Sequence, residues 1–201
     1  MGMKTDGRLL RGEQTRRLIL RHAMDIASVD GLEGLSIGRL ATDLGISKSG
    51  LFAHFGSKEE LQLATVAAGR EVFQAEVVEP ARALPPGIAR VRALLERWMD
   101  YAERRIFPGG CIIYAISAEF DARPGRIRDA IAANRADWQA YLERSLERAV
   151  ELGELPPDSD VPQLAFELES HVLHAVGASL LYDSAEPFTR ARAAVATRLA
   201  A

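Results

Sequence analysis

The chain lacks most of what marks an enzyme, a secreted protein or a membrane protein. Its 201 residues include one cysteine, Cys111, so no internal disulfide can form. No apolar run approaches the roughly 20 residues that a membrane helix needs. No basic segment leads into an apolar stretch at the start, so no signal peptide is expected and the reading is cytoplasmic. No nucleophile–base–orienter set and no glycine-rich phosphate loop can be placed. His171 and His174 lie three apart on one helix, but no Cys, His or carboxylate cluster accompanies them, so no metal is expected. Neither a cofactor nor an enzymatic activity is expected. Strand-like alternation, internal repeats and low-complexity stretches are also missing. What remains is 48% apolar and 26% charged, enough for a folded core with an ordinary polar surface.

Prolines and glycines cut this material into helices. Asp30-Gly31, Gly45, Gly56, Pro80, Pro85-Pro86-Gly87, Pro108-Gly109-Gly110, Pro124, Gly153, Pro156-Pro157, Pro162 and Pro187 separate runs with helical spacing of apolar residues. The first run, 13–28, places Leu18, His22 or Ala23, and Ile26 inward. The helix from Lys58 to Glu79 carries Leu61, Ala64, Thr65, Ala68, Val72 and Ala75 on one face. It is expected to stop there because Pro80 cannot continue it. The fold class is all-α, with about nine helices.

The stretch 31–60, GLEGLSIGRLATDLGISKSGLFAHFGSKEE, is the most informative. Ser36 suits an N-cap before Ile37, Leu40, Ala41 and Leu44; Gly45 suits the left-handed stop. Ile46 turns inward, and Ser47 caps a second helix, 47–54, with Leu51 and Phe55 toward the core. Gly56 ends it, and Ser57 with Glu60 forms a Ser-x-x-Glu capping box. Two short helices joined by such a turn make a helix-turn-helix, whose second helix fits the DNA major groove.

Net charge is −3, which is unusual for a DNA binder until its distribution is read. Residues 1–60 hold nine Lys/Arg and eight Asp/Glu, whereas residues 61–201 hold 16 and 20. Within 4–21, Lys4, Arg8, Arg11, Arg16, Arg17 and Arg21 face only Asp6 and Glu13, a local basic patch of the kind phosphates attract.

With Leu18–Ala23, Gly31, Leu35-Ser36, Leu40-Ala41, Leu44-Gly45-Ile46-Ser47, Leu51-Phe52-Ala53-His54-Phe55 and Lys58-Glu59-Glu60-Leu61 in this order, residues 13–63 resemble the tetracycline-repressor (TetR) family. The resemblance implies a flexible basic arm at 1–12, a helix-turn-helix DNA-binding domain at 13–57, a connecting helix at 58–79, and an effector-binding and dimerisation domain at 80–201. Candidate DNA-contacting residues are Ser36, Arg39, Ser47, Lys48, Ser49, Gly50, Phe52, Ala53, His54 and Lys58. Lys48 is the best base reader, because Lys donates to guanine N7 and O6. Gly50 and Ala53 let the helix approach closely. The family resemblance assigns backbone contact to Phe52, His54 and Lys58, although Phe52 lacks the hydroxyl often found there.

Beyond residue 80 no further motif stands out. Aromatic side chains collect where a bundle interior belongs. Trp98, Tyr101, Phe107, Tyr114, Trp138, Tyr141 and Phe166, with Phe73, Cys111 and His171, are the candidate effector-binding residues. Each taken alone reads rather as core. Cys111 near a helix start has the position of a reactive thiol, but a buried small hydrophobe is its ordinary role. The small residues Ala175, Gly177, Ala178 and the apolar face Phe188, Ala191, Val195 and Leu199 suggest a homodimer through the last two helices. The expected function is a ligand-responsive repressor, released from near-palindromic double-stranded operator DNA by a small apolar effector. An architectural DNA binder without ligand and a helical enzyme are the alternatives.

Overall fold

The capping signals set the segment boundaries. The computed structural model describes residues 7–200, with side chains from Leu10 onward. Among these residues all regular structure is helical, apart from one isolated bridge between Phe107 and Gly110. The helices are α1 (Gly7–Asp30), α2 (Ile37–Leu44), α3 (Lys48–Phe55), α4 (Lys58–Phe73), α5 (Glu79–Arg82), α6 (Ile88–Glu103), α7 (Ile112–Phe120), α8 (Arg126–Glu151), α9 (Val161–Leu181) and α10 (Glu186–Arg198). A π turn over Gln74–Val78 fuses α4 to α5, which leaves nine helical rods among the described residues.

Three expectations need correction. Pro80 does not stop the connecting helix. The N–H of Glu79 bonds Gln74 O, five residues back, and this widened turn gives the proline ring the room a regular turn lacks. The rod therefore continues to Arg82. α1 begins at Gly7, so the expected arm is helical from that point; Lys4 lies outside the described residues. Gly12 sits inside this helix, because a single glycine costs a helix only about 1 kcal/mol. On the same helix Leu18 is 66% exposed, and Ile19 takes the core position with Ala23 and Ile26.

One continuous apolar cluster runs from Ile19 of α1 to Leu199 at the end of α10. The N-terminal helices and the C-terminal bundle therefore share a core rather than merely touching. α9 is the centre of the bundle, packed against α6, α8 and α10. α1 packs against α4 and α7. A small second cluster, Val78, Ala81 and Leu94, lies beside the π turn under Tyr141 and Trp138.

Candidate functional site

The helix-turn-helix is built by short-range signals that all operate. Ser36 Oγ accepts from Arg39 N at 3.0 Å, Ser47 Oγ from Gly50 N at 3.0 Å, and Ser57 Oγ from Glu60 N at 3.1 Å. Gly45 has φ 64°, and its N–H bonds back to α2, so the left-handed stop is in place. Only half of the capping box at Ser57 is made in this way, because Arg126 of α8 engages the Glu60 carboxylate at 2.7 Å. Leu51 and Phe55 anchor α3 inward, as their spacing requires.

The outer face of α3 is open. Lys48, Ser49, Gly50, Phe52 and Ala53 are exposed, and His54 is half-buried. Arg16 of α1 holds the far end of α3: its Nη1 donates to His54 O at 2.8 Å, and its guanidinium stacks 4.4 Å from the Phe55 centroid. A cation at a helix C-terminus is favoured by the dipole there. Arg21 is similarly engaged, donating to Ile106 O at 2.7 Å and lying over Phe107. The basic patch read from the sequence is thus partly structural. Arg39 pairs with Asp30 at 2.6 Å, and Lys58 with Glu33 at 2.9 Å. The Lys58 ammonium beside Glu33 holds that carboxyl below its ordinary range. Lys48 has no ion pair among the described residues; its side chain lies alongside Gly38 on α2.

In the C-terminal part, α4, α6, α7, α8 and α9 surround a cavity of about 30 Å3. Phe73, Trp98, Cys111, Ile113, Tyr114, Asn134, Arg135, Trp138, Glu169 and Leu173 line it. Its aromatic wall is edge-to-face throughout: Phe73–Trp138 at 5.1 Å, Trp98–Trp138 at 5.2 Å and Phe73–Trp98 at 5.8 Å. Arg135 Nη2 meets Glu169 Oε1 at 2.7 Å within this wall. Burial pushes the Glu169 carboxyl up, and Arg135 opposes the rise. Burial also pushes the Cys111 thiol up, against smaller opposing effects of the Tyr114 and Ile113 backbone and the Trp98 indole. A buried thiol of raised pKa is a small hydrophobe rather than a nucleophile.

Of the residues expected around an effector, the cavity brings together Phe73, Trp98, Cys111, Tyr114 and Trp138. The others fall elsewhere. Tyr101 and Phe107 are fully buried behind Phe73, with Tyr101 against Phe73 at 5.7 Å and Phe107 at 6.1 Å. Tyr141 packs on the second cluster under Arg82. Phe166 is 65% exposed, and His171 lines a surface groove between α9 and α10. Helical spacing alone could not separate these sites, because core and cavity share one stripe. Asn134, Arg135 and Glu169 went unnamed. Their sequence signal was available: Asn134 and Arg135 interrupt the inward run Ile127, Ile131, Trp138 of α8.

The expected dimer residues are also relocated. Ala175, Phe188, Ala191, Val195 and Leu199 are all buried within this chain, in the seam of α9 and α10 against the bundle. Gly177 faces inward too, where a Cβ would collide with the Tyr114 hydroxyl. Ala178 and Ala191 form the floor of a groove of about 520 Å3 that also holds His171, His174, Tyr182 and Pro187. The outward apolar side chains on α9 and just past its end are Phe166, Leu181 and Tyr182.

Two rods join the cavity to the DNA unit. Phe73 stands at the end of α4, whose start is the Ser57 cap. Ile113 and Tyr114 stand on α7, and at its other end Glu119 accepts from Leu32 N at 2.6 Å and Glu33 N at 2.9 Å, in the turn before α2. Gln62 of α4 donates to Leu32 O at 2.8 Å in the same turn.

An open, capped reading helix tied through two rods to a small aromatic cavity describes a DNA-binding regulator that carries its own ligand-binding domain. Residues 19–65 match the model of bacterial regulatory proteins of the tetR family, and residues 87–195 that of the tetracyclin repressor-like C-terminal domain. The chain belongs to the TetR family of transcriptional regulators. A TetR transcriptional regulator from Chloroflexus aurantiacus J-10-FL has the same fold, with TM-score 0.84, 25% identity and coverage of 94% of this chain and 96% of that one. AibR, in complex with isovaleryl coenzyme A and operator DNA, aligns with TM-score 0.67 and 25% identity over 80% of this chain and 85% of its own. A TetR-family regulator from Agrobacterium tumefaciens aligns with TM-score 0.81 and 19% identity over 94% and 97%. No curated protein matches the chain in sequence. Among the described residues no helix is long and apolar enough to cross a membrane, and no group of three His, Cys, Asp or Glu side chains could hold a metal.

Proposed function

We propose that this chain is a homodimeric repressor that leaves a near-palindromic operator when a small, largely apolar effector enters the aromatic cavity. The observation that carries this reading is the shared scaffold: α4 and α7 both line the cavity and both hold the helix-turn-helix. A ligand that parts Phe73, Tyr114 and Trp138 must move the ends of these two helices. At about 30 Å3 the cavity is far below the roughly 300–1,000 Å3 of an occupied pocket, so binding and rearrangement are the same event. The relative AibR, bound to both a small molecule and operator DNA, supports a two-ligand role.

In the DNA unit, Lys48 and Ser49 read base edges from the open face of α3. Gly50 and Ala53 permit close approach, and Phe52 and His54 rest against the backbone. Ser36 and Ser47 present helix N-termini to phosphates. Arg39 and Lys58 exchange Asp30 and Glu33 for phosphate oxygens. The dimer face is the outward side of α9 and α10, with Phe166 toward one end and Leu181 and Tyr182 at the other.

The test is selection of bound sequences from random duplex DNA by the purified protein. The expected outcome is an inverted repeat whose half-sites lie about 34–36 Å apart or a multiple of it. Enrichment of A·T-rich DNA without symmetry would instead indicate an architectural binder.

A further inference from the structure

The polarity of the cavity narrows its ligand further than its aromatic wall does. Six buried side-chain polar atoms lack a hydrogen-bond partner among the described residues: Asp25 Oδ1, Trp98 Nε1, Tyr101 Oη, Asn134 Nδ2, Trp138 Nε1 and Tyr141 Oη. Three of these, on Trp98, Asn134 and Trp138, belong to residues that line this one small cavity. All three are N–H donors, and an indole nitrogen is a donor in any orientation. Trp98 is only 4% exposed, so water from the bulk does not reach its N–H, and the Cys111 sulfur beside the indole is only a weak acceptor. A buried unmade hydrogen bond is unfavourable, and a group that completes it is selected over one that does not.

The only charges on the wall are already matched. Arg135 and Glu169 pair at 2.7 Å, with the Glu169 side chain 12% exposed. An anionic ligand would have to displace Glu169 from Arg135, and a cationic ligand would have to displace Arg135 from Glu169. Either exchange strands a partly buried charge. An uncharged acceptor leaves the pair intact.

On the reading of this cavity as the effector site, we propose that its ligand is a compact, uncharged, largely apolar carbonyl compound, of the ketone, ester or amide kind, whose oxygen accepts from one or two of the Trp98, Asn134 and Trp138 N–H groups. The carbon body lies against Phe73, Tyr114 and Leu173. The half-buried side of the wall, Tyr114, Trp138 and Leu173, supplies the room by moving outward.

The two tryptophans of the chain both line the cavity, so intrinsic emission of the full-length protein reports on it alone. Four probes of similar shape separate the classes: cyclohexanone, methylenecyclohexane (the same ring with carbon in place of oxygen), cyclohexanecarboxylate and cyclohexylammonium. Binding is read as saturable shifts in emission wavelength and by calorimetry. It is measured on the wild type, Asn134→Leu and Trp138→Phe, each checked for an unchanged helical spectrum. Comparing ketone with hydrocarbon in each variant cancels the change in apolar area. The expected result is that at least one variant weakens cyclohexanone about tenfold more than methylenecyclohexane. If the ketone and hydrocarbon respond equally in both variants, or if a charged probe binds more tightly than the ketone, the carbonyl class is wrong while the cavity remains the ligand site. If none of the four perturbs emission or releases heat, the cavity is not the effector site, and both readings fall.

Discussion

Lys48 and Lys58 carry the same charge, but their surroundings assign them different work. Lys48 stands on the open face of α3 with no ion pair among the described residues. Lys58 is held by the Glu33 carboxylate at 2.9 Å and the Glu33 carbonyl at 3.1 Å. Lys48→Ala is expected to relax base preference at one operator position by about 1–3 kcal/mol. Lys58→Ala weakens binding to every sequence, and Glu33→Gln strengthens it, because the freed ammonium then neutralises a phosphate. Titrations of specific and random duplexes at several salt concentrations check this; Glu33→Gln should steepen the salt dependence. Equal losses on both DNAs for both lysine variants would remove Lys48 from base reading.

Glu169 gives a prediction in pH. Burial raises its folded pKa above the ordinary carboxylate value of 4.5. The native protein then keeps this proton at a pH where the unfolded chain has released it. Stability from this group is present below about 4.5 and is lost as pH rises through the folded value. Glu169→Gln cannot ionise and lacks that loss. Urea midpoints for both proteins at pH 4.5 and 7 should therefore converge at the higher pH, or cross. Parallel midpoints would mean that Arg135 cancels the effect of burial.

At the scale of elements, legibility divides between local and tertiary causes. The caps at Ser36, Ser47 and Ser57 and the stop at Gly45 were readable because each acts within four residues. The passage through Pro80 was not, because a π turn is a choice of backbone register that residue identities do not announce. The faces of α9 and α10 were misassigned for a different reason. Burial against the same chain and burial against a second copy leave the same apolar periodicity. Only the fold shows that Val195 and Leu199 are used internally while Leu181 and Tyr182 are not. The cavity was half-legible, through its aromatics, but its polar pair Arg135 and Glu169 stands 34 residues apart on two successive helices, a pairing that no local spacing announces.

The α7–α9 contact offers a test of this packing. Gly177 is where the Tyr114 hydroxyl meets α9, and an added methyl overlaps it. Gly177→Ala should destabilise by about 1–3 kcal/mol through overpacking, and Tyr114→Phe, which removes the oxygen, should recover much of that loss. A double-mutant cycle by chemical denaturation reads the coupling. Independent, additive effects would place Tyr114 away from α9. Glu119 makes the opposite end of α7 testable in the same way. Glu119→Ala leaves Leu32 N and Glu33 N without their acceptor, so faster hydrogen exchange is expected at the turn before α2.

At the scale of the whole molecule, the proposed function depends on two copies and two sites. Phe166, Leu181 and Tyr182, at 65%, 77% and 70% exposure, flank an open groove on α9 and α10. A partner laid there is expected to bury more than about 1,200 Å2 in total. Sedimentation at micromolar concentration should show a dimer, and Leu181→Glu with Tyr182→Glu should yield a folded monomer. That monomer should bind operator weakly, since only one recognition helix engages. Within the dimer, a cavity ligand can change operator affinity only through a difference in its affinity for the two arrangements of α4 and α7. Linkage then fixes the reverse effect: saturating operator DNA must weaken ligand binding by the same factor. Glu119→Ala removes one of the two ties, so it should shrink that factor while leaving ligand affinity in the DNA-free protein nearly unchanged. Measuring the cavity ligand with and without operator, in wild type and Glu119→Ala, decides the matter. A factor unchanged by the substitution would assign the coupling to α4 alone. A factor of one in the wild type would mean that the cavity does not control DNA binding.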